Sequence, residues 1–412
     1  MAPEATLPRD VVLLSTADWD HPYWTNKQRV AVELAARGFR VLYVESLGLR
    51  RPSVAASDLT RIARRLRRAF VVPRQVREGL WVASPVALPF HGIALARRLN
   101  HRWLAGWLAR QCRHLDLQQP IIWTYNPLTM DLAQSLGGSM LVYHSVDDLR
   151  AAPHLPAAAI AAAEERLVRA ADVIFTTSPS LQSRLARWNG RATHYLPNVA
   201  DYDHFSRARQ AAPLPPELAA IPRPRIGFVG AVSEYKVDFE LIAQVARARP
   251  AWHWVLIGQV GEGQGETRVD RLRMPNVHLL GPRPYEVLPD YLRGFDVATI
   301  PCPANDYTQA MFPLKFFEYL SAGLPVVAAR VPALDEFALV CLQVDSADEF
   351  TAAIGRILAG DRPDLEACLS VARQHTWQRR TGEMLRVLAD TWQARQRTLA
   401  LPTDRSERAK AG

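Results

Sequence analysis

The 412-residue chain is poor in cysteine: Cys112, Cys302, Cys341 and Cys368 lie far apart, with no CxxC pair. That spacing excludes a disulfide framework and a zinc knuckle, so the four read as reduced thiols. Long apolar runs are also missing. The runs Val11–Leu14 and Ala157–Ala163 fall well short of the roughly 20 residues that cross a bilayer. The opening MAPEATLPRD lacks the apolar core of a secretory leader, so a cytosolic location is expected. Lysine is absent from residues 50 to 113, yet 14 arginines there face only Asp58 and Glu78. This segment carries +12 against +9 for the whole chain, so the basic surface is local and calls for a local partner. No HExxH occurs, and Asp147-Asp148 lacks the spacing of a metal clamp, so no metal is expected.

What is present is ordinary globular material, 49% hydrophobic and 22% charged, in a length that implies two domains. Short β-branched runs alternate with helical stretches at 11–16, 40–45, 80–84, 121–125, 140–144 and 172–177. A second series lies at 225–230, 253–258, 277–281, 297–301, 325–329 and 340–344. This βα rhythm predicts two doubly wound parallel-sheet domains, which bind ligands beyond the carboxyl ends of their strands. Prolines 213, 215, 216, 222 and 224 mark the break between the series. The expected organisation is therefore a first domain over 1–205, a Pro-rich linker over 206–224 and a second domain over 225–375. A helix over 376–400 is expected to return to the first domain, followed by a disordered tail over 401–412.

The stretch FPLKFFEYLSAGLPVVAAR (312–330) is the most informative. Pro313 reads as a helix start and Gly323 with Pro325 as its end, so backbone N–H groups at Phe312 to Leu314 form an anion site beside Lys315. Glu318, one turn on, is placed to accept hydrogen bonds from a ribose diol. An isolated K-x-x-E also reads as a surface ion pair.

This segment resembles the donor site of retaining glycosyltransferases of family 4, whose fold is GT-B. Three further stretches resemble the same family in the same order: YLPNVADYDHF (195–205), VGAVSEYKVDFELI (229–242) and NVHLLGPRPYEVLPDYLRGFDVATIP (276–301). The resemblance implies a nucleoside-diphosphate sugar as donor, with Gly230, Lys236, Arg283, Pro313, Leu314, Lys315 and Glu318 as its contacts. It also implies transfer with retention, needing neither metal nor cofactor. Two positions depart from the pattern: Ala310 stands for the upstream glutamate of the donor pair, and Ala231 for an arginine. A catalytically silent sugar-nucleotide-binding subunit, or an epimerase or hydrolase on the same fold, therefore stays open as an alternative.

In the first half, His144 follows an apolar strand, and the resemblance gives it contact with the transferred sugar; a turn-capping histidine is the plain alternative. Lys236, Lys315 and His144 are thus the expected catalytic residues. Trp19, Trp24, Asn26, Lys27 and Asp147 are expected around the acceptor, aromatics and amides being suited to a sugar face, although a loop Trp buried on its own helix is as common. Amphipathic helices over 59–70 and 93–115 set Arg61, Arg64, Arg65, Arg68, Arg98, Arg102 and Arg113 beside Phe70, Trp103 and Trp107. Such helices suit an anionic membrane surface, and no nucleic-acid-binding motif accompanies them. The reading is a transferase peripheral to the inner face of the cytoplasmic membrane, acting on a sugar or lipid-linked acceptor in polysaccharide or glycolipid assembly.

Overall fold

A computed structural model describes residues 6–21, 23–46, 72–85, 94–152, 155–261 and 267–400, with main chain only for 94–101 and 400. The helix expected over 59–70 and the tail over 401–412 lie outside the described residues. The first sheet has eight strands: β1 (Asp10–Leu14), β2 (Arg40–Val44), β3 (Arg74–Arg77), β4 (Leu80–Ala83), β5 (Ile121–Thr124), β6 (Met140–Ser145), β7 (Val173–Thr176) and β8 (Thr193–Tyr195). Their order is β3-β4-β2-β1-β5-β6-β7-β8, parallel except for the β3–β4 pair. The chain winds outward from β1 to β4, then crosses to β5 on the other side. A crevice therefore opens between the carboxyl ends of β1 and β5.

Both faces of this sheet are covered, which explains its unbroken apolar runs. Val11 and Leu13 pack into one core with Val30 and Leu34, while Val12 and Leu14 pack into another with Leu104, Trp107 and Leu108. The second sheet comprises β9 (Arg225–Val229), β10 (His253–Ile257), β11 (Val277–Gly281), β12 (Val297–Ile300), β13 (Val326–Ala329) and β14 (Leu342–Val344). All its pairings are parallel, in the order β11-β10-β9-β12-β13-β14, and its switch point falls between β9 and β12.

Residues 206–224, expected as a Pro-rich linker, are ordered and partly buried. They form a turn at Arg207–Arg209 and a short helix at Pro216–Ala219, and Ala208, Leu218 and Ile221 enter the core of the second domain. Pro215 and Pro216 open that short helix, at its N-cap and first position.

Two chain crossings join the domains and run side by side. Ala200 pairs with Thr376 in a parallel bridge, and the Ala200 N–H donates to the His375 carbonyl at 3.1 Å. The helix Trp377–Ala400 then lies on the first domain, where Met384 and Leu388 are buried in its core and Arg395 donates to the Ser139 carbonyl at 2.8 Å. Met384→Ala or Leu388→Ala should destabilise the protein by about 2–5 kcal/mol in urea unfolding, the range for truncating a buried Leu or Met. A loss below about 0.5 kcal/mol, as for a surface change, would show that the helix does not contribute to that core.

Candidate active site

The carboxyl edge of the second sheet is built from glycine. The Gly230 N–H donates to the Ile257 carbonyl at 2.8 Å, and Gly258 has φ +154, in a region closed to most side chains. A Cβ on Gly258 would stand 1.8 Å from the Gly230 carbonyl oxygen. A Cβ on Gly230 would stand 3.0 Å from Lys315 Cε and 3.3 Å from its Nζ. The Lys315 ammonium thus lies over bare backbone, 5.1 Å from the centre of the Phe228 ring.

The helix that carries Lys315 is short, Lys315–Ser321, and starts two residues later than the proline suggests. Pro313 lies before the helix and accepts the Phe316 N–H at 3.1 Å, while Leu314 occupies the N-cap. The helix is anchored by its buried face: Phe316, Phe317, Tyr319 and Leu320 are fully buried, and the Tyr319 hydroxyl accepts the Val229 N–H at 2.8 Å. Glu318 sits on the same helix, partly open to solvent at its rim. Burial raises its carboxyl to about 7, against the pull of Lys315 and Arg29, and Asp201 adds to the rise.

The first domain faces this edge with polar groups. Lys27 is 8% exposed, and its Nζ stands 4.0 Å from Asp147 Oδ2. Burial lowers its pKa; Asp147 opposes the shift, and the Lys236 ammonium of the second domain adds to it. The Tyr307 hydroxyl of the second domain donates to Asp147 Oδ1 at 3.2 Å, and the Tyr307 ring packs on Tyr235, the neighbour of Lys236, at 5.2 Å. Lys27, Asp147, Tyr307 and Lys236 therefore converge where the two domains meet.

Other expected residues fall elsewhere. His144 is fully buried among Trp123, Tyr125 and Phe175, with Nδ1 3.2 Å from the Tyr125 hydroxyl and Nε2 without a hydrogen-bond partner. Burial holds its pKa well below the usual histidine value, and Arg380 and Lys27 push it further down, so the ring is neutral. Trp19 is 6% exposed and packs edge-on with Tyr43 in the first core, which leaves it no open face for a sugar. Trp24 is half-buried, with the guanidinium groups of Arg29 and Arg77 at 5.5 and 6.0 Å from its ring. Arg283 is committed to structure: it donates to the Tyr291 hydroxyl at 2.7 Å, the Leu280 carbonyl at 2.6 Å and Glu217 at 3.2 Å, tying the Pro216–Ala219 helix to the sheet edge.

Three residues that sequence reasoning missed stand close to the site. Arg29 stacks on Tyr285 at 4.6 Å and pairs with Asp201 at 3.4 Å, close enough to influence Glu318. Arg380 is 2% exposed, its Nε and Nη2 have no partner, and burial lowers it to about 10. Asn198 bridges the domains. Composition also marks Lys27, already expected near the acceptor: of 50 Lys and Arg only four are lysine, at 27, 236, 315 and 410, and the first three lie at the facing ends of the two domains. Two Asp-x-Asp triplets, Asp18–Asp20 and Asp201–Asp203, also escaped notice. Asp20 pairs with Arg74, and Asp201 caps the helix Tyr202–Ser206; among the described residues no three His, Cys, Asp or Glu side chains gather as a metal site.

The raised Glu318 carboxyl fixes the sign of a pH effect. Between pH 4.5 and about 7 the folded protein holds a proton there that the unfolded chain has lost, so stability falls as pH rises through that window and levels off above it. Glu318→Gln should flatten this slope in denaturation measured from pH 4.5 to 8. An identical slope in the variant would place the titration elsewhere.

Residues 223–360 match the family described as Glycosyl transferases group 1. A Bacillus subtilis (strain 168) protein named "Putative teichuronic acid biosynthesis glycosyltransferase TuaH" is 30% identical over 230 residues, which are 53% of this chain and 57% of that protein. The chain thus spans a little over half the length of this curated relative. The sucrose-phosphate synthase of Thermosynechococcus elongatus shares the architecture with a TM-score of 0.62 at 18% identity, over 95% of this chain and 99% of its own. A trehalose-6-phosphate protein of E. coli bound with UDP-2-fluoro glucose gives 0.66 at 14% identity, over 92% of this chain and 99% of its own. The architecture is therefore the GT-B fold, and the group 1 match falls within its second domain.

Proposed function

We propose that this protein transfers a sugar from a nucleoside-diphosphate donor, held by the second domain, to an acceptor hydroxyl presented by the first. The observation that carries the reading is the Lys315 ammonium lying over Gly230 at the switch-point edge of the second sheet, one helical turn from Glu318. Departure of the nucleoside diphosphate leaves negative charge on phosphate, and cations fixed in advance stabilise that charge as it grows. Lys315 and Lys236 supply them, and Glu318 accepts the ribose hydroxyls. The neighbour bound with UDP-2-fluoro glucose supports a nucleotide sugar as donor. In this reading the ammonium groups take the role a metal would play.

Neutral His144 takes a hydroxyl of the transferred sugar on its open Nε2 once the domains admit the substrate. The departing phosphate accepts the proton of the incoming hydroxyl on the same face, which retains the anomeric configuration. The name of the Bacillus subtilis relative supports an acceptor in cell-surface polysaccharide assembly. Exposed Trp103, with Arg102, Arg110 and Arg113 exposed on the helix Ala94–His114, supports docking on an anionic inner membrane face. No helix among the described residues is long and apolar enough to cross a membrane.

Lys315→Ala and Lys236→Ala should each lower kcat more than donor affinity, by roughly 100-fold or more, because leaving-group charge peaks in the transition state. Turnover should persist in EDTA. Loss of ground-state binding alone would make the lysines positioning groups, and EDTA inactivation reversed by Mg²⁺ would refute metal independence. A wild type that binds donor without turning it over would favour a silent subunit. On the membrane side, Arg102→Gln with Arg110→Gln and Arg113→Gln should weaken sedimentation with phosphatidylglycerol vesicles at low salt, each arginine contributing about 1 kcal/mol. A wild type that ignores such vesicles would remove the membrane from the account.

A further inference from the structure

Two buried asparagines link the domains at the site. Asn26, first residue of the helix Asn26–Ala35 and 2% exposed, donates from Nδ2 to Asn198 Oδ1 at 2.9 Å. Asn198, 4% exposed on the crossing into the second domain, donates from its own Nδ2 to the Phe312 carbonyl at 2.6 Å. Phe312 stands three residues before Lys315. The orientation of both amides follows from chemistry: a carbonyl at Phe312 requires the NH₂ of Asn198, which turns Asn198 Oδ1 towards Asn26 and requires the NH₂ of Asn26 in turn. Asn26 Oδ1 is then the atom left over, and it is buried without a partner.

An unpartnered buried carbonyl is costly and marks an open hydrogen-bond position. A hydroxyl donating to it would polarise the Asn26 amide and strengthen the bond to Asn198, since chained hydrogen bonds reinforce one another at low dielectric. Other first-domain groups hold the same segment of the second domain: Ser178 Oγ donates to the Ala310 carbonyl at 2.6 Å and Ser180 Oγ to the Gln309 carbonyl at 3.0 Å. The backbone leading into the Lys315 helix is therefore held by the opposite domain as well as by its own core.

We infer that Asn198 is a positioning residue, a relay that sets the Phe312 backbone, and with it Lys315, in response to an acceptor hydroxyl on Asn26 Oδ1. The inference rests on the transferase reading for its consequence in turnover, and on geometry alone for the mechanical link. Donor cleavage is then favoured when an acceptor is in place, because the cation that receives the leaving diphosphate is aligned from the acceptor side.

The test compares full-length wild type, Asn26→Ala, Asn198→Ala and the double variant. It reads hydrogen exchange at residues 314–321, calorimetric binding of UDP and GDP, and release of nucleoside diphosphate from UDP- or GDP-sugars. Asn26→Ala, although on the other domain, should speed exchange at 314–321 about 10-fold and lower kcat about 10- to 100-fold with donor KM nearly unchanged, the signature of misplacement rather than lost contact. The double variant should lose no more than Asn198→Ala alone, as expected for two members of one chain of bonds. Unchanged exchange at 314–321 in Asn26→Ala, or additive losses in the double variant, overturns the relay. Asn26→Ala leaves the Asn198–Phe312 bond in place, so it decides the matter even if Asn198→Ala fails to fold. Should neither UDP nor GDP bind the wild type, the donor reading fails, while the exchange result still decides the relay.

Discussion

The site depends on how closely two backbones approach at the end of the second sheet. With no Cβ on Gly258, the Gly230 carbonyl comes to a distance no side chain would permit. With no Cβ on Gly230, the space above it is filled by the Lys315 side chain. The strand ends β9 and β10, the helix Lys315–Ser321 and the switch point between β9 and β12 thus converge on one spot. A formal positive charge placed at a switch point, over backbone and against an aromatic ring, suits a diphosphate better than a neutral ligand.

The second domain does not build that spot alone. Its approach segment, from Tyr307 to Phe312, is held by Asp147, Ser178, Ser180 and Asn198. The Tyr195 hydroxyl also donates to Glu336 across the interface. The two crossings at Ala200 and Thr376 lie side by side, bonded to each other where the domains are joined.

All twelve strand runs expected from β-branched composition exist as strands, because buried parallel strands carry unbroken apolar sequence on both faces. The runs at 74–77 and 193–195 escaped detection: RQVR is largely exposed, and THY is a three-residue edge, so neither shows a buried pattern. Lys315, Gly230 and Glu318 were legible as a cluster, since a proline, a lysine and a glutamate at fixed spacing precede a buried strand. Trp19 was not, because a loop tryptophan looks the same whether it meets a sugar or the core. The structural bonds of Arg283 were hidden for a related reason: its partner Glu217 lies 66 positions away, in a stretch that read as linker. Asn198 was invisible because its partner Phe312 belongs to the opposite domain, and Arg380 because its neighbours Tyr125, His144 and Pro197 lie far away in sequence.

A crystal structure with a bound nucleoside diphosphate would show where the leaving diphosphate sits. Phosphate oxygens are expected within about 3 Å of Lys315 Nζ and Lys236 Nζ, the distance of a charge-assisted hydrogen bond, with both ribose hydroxyls on Glu318. Diphosphate density elsewhere on the molecule, with Lys315 still lying over an unoccupied Gly230, would contradict that placement.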